Sequence, residues 1–235
     1  TRNPAMAATD ALWCVVPAAG RGARVGGEVP KQYLPIAGKP MLLHTLERLA
    51  AHPRVAGLMV VLEAGDVRWP KWLTFNDKPV STTIGGAARA DSVLAGLRAL
   101  PEQVDKSHFV LVHDAARPCV RVADVSHLLE LGIPAGGALL AAPVRDTLKR
   151  ADAQGRVVAT EPREARWRAM TPQLFRLGEL MQALESARDA GIAVTDEAMA
   201  MERVGHSPLL VEGSEDNIKV TTAADFALAQ FILSR

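Results

Sequence analysis

Four glycines and three cations crowd into one stretch, Pro17-Ala-Ala-Gly-Arg-Gly-Ala-Arg-Val-Gly-Gly-Glu-Val-Pro-Lys31, directly after the apolar run Leu12–Pro17. A glycine-rich turn that leaves a buried strand presents backbone N–H groups to an anion, and phosphate oxygens are the usual occupants. Arg21, Arg24 and Lys31 add positive charge against the single acid Glu28, which suits a polyphosphate whose charges are costly to strip of water. Two familiar phosphate loops do not fit. A Walker A loop ends in Gly-Lys-Ser/Thr, and this one does not. The dinucleotide pattern G-x-G-x-x-G matches Gly20 and Gly22 but meets Val25 at its third glycine. Gly26, Gly27 and Pro30 also keep a helix from starting where that pattern needs one. A solvated surface loop collects similar residues. The concentration of cations favours a phosphate cradle of another kind.

Such a loop needs rigid elements around it. Short apolar runs at Leu12–Pro17, 57–62, Phe109–Val112 and Ala138–Pro143 lack alternation, which marks strands buried on both faces of a parallel sheet. Between them, Met41–Ala51, 89–100 and 122–131 space their apolar residues at helical intervals. The order βαβα predicts an α/β fold, Rossmann-like, with a mostly parallel sheet sandwiched by helices. At Arg145 the alternation stops. Residues 145–170 are rich in charge, and Asp152-Ala-Gln-Gly155 supplies a turn between 146–150 and 156–160. This predicts a protruding β-hairpin arm. An isolated hairpin is marginal in water, so either a partner subunit covers it or it lies back on its own domain. Helices are expected at 177–190, 195–204 and Ala223–Leu233, and short strands at 208–211 and 217–220. The expected organisation is a single domain, 1–235, that includes the arm.

Composition narrows the function. Lys+Arg 27 against Asp+Glu 26 leaves a net charge of +1 over 235 residues, which excludes a broad basic nucleic-acid surface and an acidic tail. Aromatic residues at 4% argue against a stacking platform for single strands. No apolar stretch approaches the ~20 residues of a membrane span, and the first residues do not read as a secretory signal. Cys14 and Cys119 form neither a disulfide framework nor zinc spacing, and buried packing is their expected role. A cytoplasmic, soluble protein is expected.

Seven segments in series carry a family resemblance: Val16–Val25 continuing to Pro30-Lys-Gln-Tyr-Leu34; Gly85-Gly86 with Arg89-Ala-Asp-Ser92; Val112-His-Asp-Ala-Ala-Arg-Pro118; Ala142-Pro-Val-Arg-Asp-Thr147; Thr171-Pro-Gln173; Thr195-Asp-Glu-Ala198; and Asn217-Ile-Lys-Val-Thr221. Together they resemble the 2-C-methyl-D-erythritol 4-phosphate cytidylyltransferase family, nucleotidyltransferases with a pyrophosphorylase fold. Val25 replaces a frequent methionine, and Ala87 stands where the family commonly has an acid, which removes one polar contact near the nucleotide.

The resemblance implies transfer of a cytidylyl group from CTP to a sugar-alcohol phosphate, with pyrophosphate leaving, in non-mevalonate isoprenoid synthesis. It implies Mg²⁺ as cofactor, with Asp114 as its ligand. Pro17, Ala18, Ala19, Gly20, Gly22, Gly85, Gly86, Ser92 and Asp114 would hold the nucleotide. Arg24 and Lys31 would contact its triphosphate and act in catalysis. Asp114, Arg117, Thr147, Arg163, Thr171, Thr195 and Lys219 would form the acceptor site, with Arg163 and Lys219 placing the nucleophile. His113 is expected to pack rather than react. The family's arm reaches into a neighbouring subunit, which implies a homodimer; neither nucleic acid nor membrane is an expected partner. Two other readings stand beside this one: a cytidylyltransferase for another polyol phosphate such as ribitol 5-phosphate, and a non-catalytic nucleotide-binding module. Retention of Arg24, Lys31 and Lys219 speaks against the second. An NAD-binding protein is weakened by Val25.

Overall fold

Leu12–Pro17 (β1) needs cover on both faces because its residues are apolar without alternation. In the computed structural model, which describes residues 11–20 and 29–235, β1 lies inside an eight-stranded sheet, with Cys14, Val15 and Val16 fully buried. A single 3₁₀ turn at Lys31–Tyr33 leads to the short pair β2 (Pro35–Ile36) and β3 (Lys39–Pro40), then to α1 (Met41–Ala51) and β4 (Val55–Leu62). Next come β5 (Thr74–Phe75), β6 (Lys78–Ile84), α2 (Arg89–Arg98), β7 (Phe109–Val112), α3 (Val122–Gly132) and β8 (Ala138–Pro143). The arm strands β9 (Leu148–Ala151) and β10 (Val157–Glu161) precede the long β11 (Trp167–Arg176). The chain finishes with α4 (Leu177–Asp189), α5 (Glu197–Arg203), β12 (Leu209–Glu212) and α6 (Ala223–Leu233).

The main sheet has the order β12-β8-β11-β7-β1-β4-β6-β5. β1 pairs in parallel with β4 and β7, β4 with β6, and β8 with β12, whereas β11 and β5 run antiparallel to their neighbours. The sheet is therefore mixed and mostly parallel, in the α/β, Rossmann-like class expected from the alternating pattern.

Successive β1 side chains serve opposite faces, as the period of two demands. Cys14 and Val16 join Leu42, Leu46 and Leu49 of α1 and Leu128 and Leu129 of α3. Trp13 and Val15 join Val93, Leu94 and Leu97 of α2 and Leu180 and Leu184 of α4. Each fully buried leucine contributes about 1.5–3 kcal/mol by leaving water. Both cysteines are buried and free, and burial pushes their thiols up, Cys119 to about 11, so neither is poised to react. Among the described residues, no helix is long and apolar enough to cross a membrane.

The arm strands pair antiparallel as a separate two-stranded sheet. Asp152 Oδ1 accepts from the backbone N–H groups of Gln154 and Arg156 at 3.0 and 2.9 Å, and Gly155 takes the positive φ of +78° that closes the turn. Beyond the arm the sequence reading needs correction. Residues from Trp167 onward already belong to β11, which pairs with β8 from Trp167↔Pro143. Pro172 hides this strand in the sequence; it sits where the β8 register shifts between Ala169 and Gln173, so no ladder N–H is missed. β6 escaped notice because Lys-Pro-Val-Ser-Thr-Thr-Ile is half exposed and mostly polar. Residues 217–220, expected as a strand, are irregular. Side chains claim their backbone instead: Arg117 Nη1 donates to Asn217 O at 2.7 Å and Lys31 Nζ to Val220 O at 3.0 Å.

Candidate active site

The carboxyl ends of β1, β4, β6 and β7 open together on one edge of the sheet, where open α/β sheets bind their ligands. A cavity of about 230 Å³ lies there, lined by Pro17, Ala18, Ala19 and Gly20 from the end of β1, Gly86 to Arg89 and Ser92 from the start of α2, and Lys31, Gln32, Asp114 and Lys219. Ala18 is fixed from both sides: its N–H donates to Val61 O at 2.8 Å and its carbonyl accepts from Gln32 Nε2 at 2.7 Å. Gly85 forms the floor beside it. A Cβ at that position would lie 2.6 Å from Ser92 Oγ and 2.9 Å from the Ala19 Cβ, so only glycine allows this approach. Ser92 is buried and its hydroxyl donates to Ala88 O at 3.1 Å. Small residues thus line this part of the cavity and keep it open to a ligand.

Asp114 stands at the end of β7, 7% exposed, surrounded by two cations from distant parts of the chain and one from its own loop. Arg89 Nη2 lies 2.8 Å from Oδ1, Lys219 Nζ 2.9 Å from Oδ2, and Arg117 Nε 3.8 Å from Oδ2. Burial pushes this carboxyl up, but Arg89, Lys219 and Arg117 outweigh it and hold the group well below the usual carboxylate range. Asp114 is ionised throughout the physiological range. Arg89 itself is lowered by burial and raised further by Glu197 and Asp114, with a net upward shift. Burial keeps Arg117 below its ordinary value against the pull of Asp114.

Behind Asp114 the polar groups form one ordered chain. The Asp114 N–H donates to Thr171 Oγ1 at 3.0 Å, and Thr171 Oγ1 lies 3.0 Å from His113 Nδ1. His113 Nε2 lies 3.1 Å from the Arg117 carbonyl, which can only accept. His113 is therefore protonated at Nε2 and accepts the Thr171 hydroxyl proton at Nδ1. Burial pushes this ring down to about 4 against the lift of its Arg117 hydrogen bond and of the Asp114 charge, so it stays neutral. Asn217 Nδ2 donates to Thr171 O at 2.7 Å. Arg117 Nε and Asn217 Oδ1 are buried without a hydrogen-bond partner among the described residues, which is costly unless a polar ligand or water reaches them.

The neutral histidine has a consequence for stability. Its folded pKa lies below the ordinary value of 6.5, so the unfolded chain takes up a proton first as pH falls. The stabilisation is complete above about pH 6.5 and drains away towards pH 4, by about 3 kcal/mol at about 1.4 kcal/mol per unit. Denaturant melts at intervals from pH 7 to pH 4 should show this loss, and His113→Gln should flatten it. An equal pH slope in both proteins would contradict the assignment.

The family model for 2-C-methyl-D-erythritol 4-phosphate cytidylyltransferase matches residues 12–235. The chain belongs to this family. It is 62% identical over 226 residues to the 2-C-methyl-D-erythritol 4-phosphate cytidylyltransferase of Stenotrophomonas maltophilia (strain R551-3), covering 96% of this chain and 97% of that one. A crystal structure of 4-diphosphocytidyl-2C-methyl-D-erythritol synthase superposes with a TM-score of 0.82 at 35% identity, covering 95% of this chain and 98% of that one. The Francisella tularensis 2-C-methyl-D-erythritol 4-phosphate cytidylyltransferase structure gives 0.81 at 33% identity, with 94% and 99% covered.

Of the residues named from sequence and the family's motifs, Pro17, Ala18, Ala19, Gly20, Lys31, Gly86, Ser92, Asp114 and Lys219 line one cavity, and Gly85 packs beneath it. Arg117 and Thr171 lie behind Asp114, both buried. Thr171 reaches the site through Asp114, because its hydroxyl is engaged with that backbone and with His113. Thr195 is exposed two residues before α5. Thr147 and Arg163 lie on the arm and line a separate depression there. Gly22 and Arg24 fall outside the described residues. Arg89 and Glu197 were not among the expected site residues, although both lie within motifs of the family, Arg89-Ala-Asp-Ser92 and Thr195-Asp-Glu-Ala198. Gln32, next to Lys31, was also missed; its amide fixes the Ala18 carbonyl.

Among the described residues, no cluster of three or more His, Cys, Asp or Glu side chains could hold a metal ion by itself. Among the described residues, Asp114 is the one carboxylate on the cavity wall. Arg89 and Lys219 pair with its two oxygens, so a hard cation such as Mg²⁺ would take one carboxylate oxygen in exchange for one of them, the half-exposed Lys219 being free to turn to water, and would complete its shell with substrate phosphates and water. This donor set does not fit a metal caged by protein alone.

Proposed function

We propose that this chain transfers the cytidylyl group of CTP to 2-C-methyl-D-erythritol 4-phosphate, giving 4-diphosphocytidyl-2-C-methyl-D-erythritol and pyrophosphate, a step of non-mevalonate isoprenoid synthesis. The observation that carries this reading is that the family's separate motifs meet at one cavity, where Lys31, Lys219 and Asp114 arrive from three distant stretches.

The acceptor's phosphate oxygen attacks the α-phosphorus of CTP in line as pyrophosphate leaves. A phosphate monoester has its second pKa near about 6 and is largely dianionic at neutral pH, so no general base is needed. The burial and neutrality of His113 agree with that. The barrier lies in bringing two polyanions together and in holding the charge that grows on the α-phosphate and the leaving group. Fixed cations suit this task, because they are oriented before the reaction begins. Pro17, Ala18, Ala19, Gly20, Gly85, Gly86 and Ser92 hold the cytidine. Gly22, Arg24 and Lys31 take the triphosphate. Arg117, Thr195 and Lys219 take the acceptor, with Thr171 steadying Asp114. Mg²⁺ held by Asp114 and the triphosphate oxygens would supply further neutralisation of phosphate charge.

Arg163 and Thr147 enter through the arm of a second subunit in a homodimer. The exposed arm residues Val157 and Val158, 64% and 54% accessible, supply apolar surface for such a partner to cover. Arg163→Ala should lower turnover at least tenfold while the Kd for CTP stays nearly constant, since loss of one charge-assisted phosphate contact is worth about 1.5–3 kcal/mol. Mixing Arg163→Ala with Lys31→Ala subunits should recover activity, because one site of the mixed dimer receives both intact residues. Activity equal to the sum of the two variants measured alone would refute the shared site.

Purified protein with CTP, Mg²⁺ and 2-C-methyl-D-erythritol 4-phosphate should release one pyrophosphate per acceptor consumed and form a diphosphate diester visible by phosphorus NMR. Pyrophosphate release without acceptor, or no release at all, would overturn the assignment.

A further inference from the structure

Arg89 opens α2, and its guanidinium stands between two carboxylates from remote parts of the chain. Nε donates to Asp114 Oδ1 at 2.9 Å and Nη1 to Glu197 Oε1 at 2.7 Å. Nη2 lies 3.2 Å from Glu197 Oε2 and 2.8 Å from Asp114 Oδ1. Glu197 is fully buried and is the first residue of α5, two positions after Thr195. A carboxylate that deep must be paired, and the planar fork of arginine is what permits two carboxylates to share one cation. The start of α5 has a second anchor in Gln173, which donates through Nε2 to Asp196 Oδ2 at 3.0 Å and accepts at Oε1 from the Ala198 N–H at 2.8 Å. With both carboxylates on its fork, Arg89 lines the cavity but is not turned over to it.

We propose that Arg89 is a positioning residue and not a phosphate ligand: it ties Asp114, on the nucleotide side, through Glu197 to the α5 segment that carries Thr195, on the acceptor side. The two halves of the cleft are thereby held in one register, which in-line attack requires. This rests on the cytidylyl-transfer reading above and assigns a part within it.

Two variants test the tie. Arg89→Lys keeps a positive charge beside Asp114 but cannot span both carboxylates, and Glu197→Gln keeps size while discharging one end. Each should raise the KM for the acceptor about tenfold while the calorimetric Kd for CTP without acceptor stays within about twofold of the unaltered protein. The double variant should be no worse than the worse single one, because both act through the same contact. Should Glu197→Gln fail to fold, Arg89→Lys carries the test alone. A CTP Kd that weakens about tenfold in Arg89→Lys with the acceptor KM unchanged would make Arg89 a phosphate ligand and overturn the proposal. Losses that multiply in the double variant would also overturn it. Absence of turnover in the unaltered protein would overturn the parent reading and this one together, whereas normal turnover with unchanged acceptor KM in both variants overturns this one alone.

Discussion

Replacing Lys31 with alanine should lower kcat/KM for cytidylyl transfer by about a hundredfold to a thousandfold, the range seen when a preorganised donor to developing charge is removed. Lys31 sits in a single 3₁₀ turn, with its ammonium 3.0 Å from the Val220 carbonyl and on the wall of the cavity. That carbonyl belongs to the same irregular segment as Lys219, so the two lysines are placed against one another by the backbone rather than by a helix or strand. The fold should survive the change. The bond to the Val220 carbonyl is worth only about 0.5–1.5 kcal/mol, and the turn keeps its own bonds from Tyr33 N to Pro30 O and from Leu34 N to Lys31 O. Pyrophosphate release at saturating Mg²⁺, together with a denaturant melt, separates the two effects. A decrease below tenfold would remove Lys31 from the catalytic set.

Asp114→Asn should do damage of a different kind, to stability as well as to turnover. The substitution leaves Arg89, Lys219 and Arg117 facing a neutral amide where they had shared one carboxylate at 2.8, 2.9 and 3.8 Å. Breaking a buried ion pair by removing one partner costs about 3–5 kcal/mol. Lys219, with 42% of its side chain accessible, can turn to water, so the cost should fall near the lower end. The pH dependence has a definite sign. Asp114 is raised by burial but lowered more by Arg89, Lys219 and Arg117, and its folded pKa lies below the unfolded one. Its stabilisation is therefore complete above the ordinary carboxylate value of about 4 and is lost as the pH falls towards the depressed one. The stability gap between the unaltered protein and Asp114→Asn should be constant from pH 8 to pH 5 and shrink in stronger acid. A gap that instead widens below pH 4 would contradict the arrangement. Turnover should fall by more than a hundredfold throughout, since the group that organises three cations is gone.

Lys31 was legible in the sequence because it lies in a cation-rich loop after an apolar run, where few other demands act on residue type, whereas Asp114 and Lys219 were named only through the family's motifs, Lys219 within a segment expected as a strand. α1, α3 and α6 were legible because their apolar spacing is helical and their neighbours are strands or turns. Arg89 and Glu197 were not. Each begins a helix, and an acid in the first turn of α5 reads as a favourable dipole partner, while an arginine at the start of α2 reads as a solvated charge. Only the fold, by bringing the start of α5 and the end of β7 beside the start of α2, shows that Arg89 meets Glu197 and Asp114 at once. β11 was obscured for a similar reason. Met170-Thr-Pro-Gln-Leu-Phe175 mixes a proline and polar residues into a central strand, and those polar residues are the ones that reach Asp114, α5 and Asn217. Local pattern failed where a strand was built to serve the site. The net charge of +1 was similarly uninformative about the cluster of Arg89, Arg117 and Lys219 around one carboxylate.

The most direct measurement compares acceptors. With CTP and Mg²⁺ held constant, kcat/KM should be determined for 2-C-methyl-D-erythritol 4-phosphate and for ribitol 5-phosphate by pyrophosphate release. The first should be preferred at least a hundredfold, about 3 kcal/mol of transition-state discrimination. Equal use of the two, or faster turnover of ribitol 5-phosphate, would contradict the assignment.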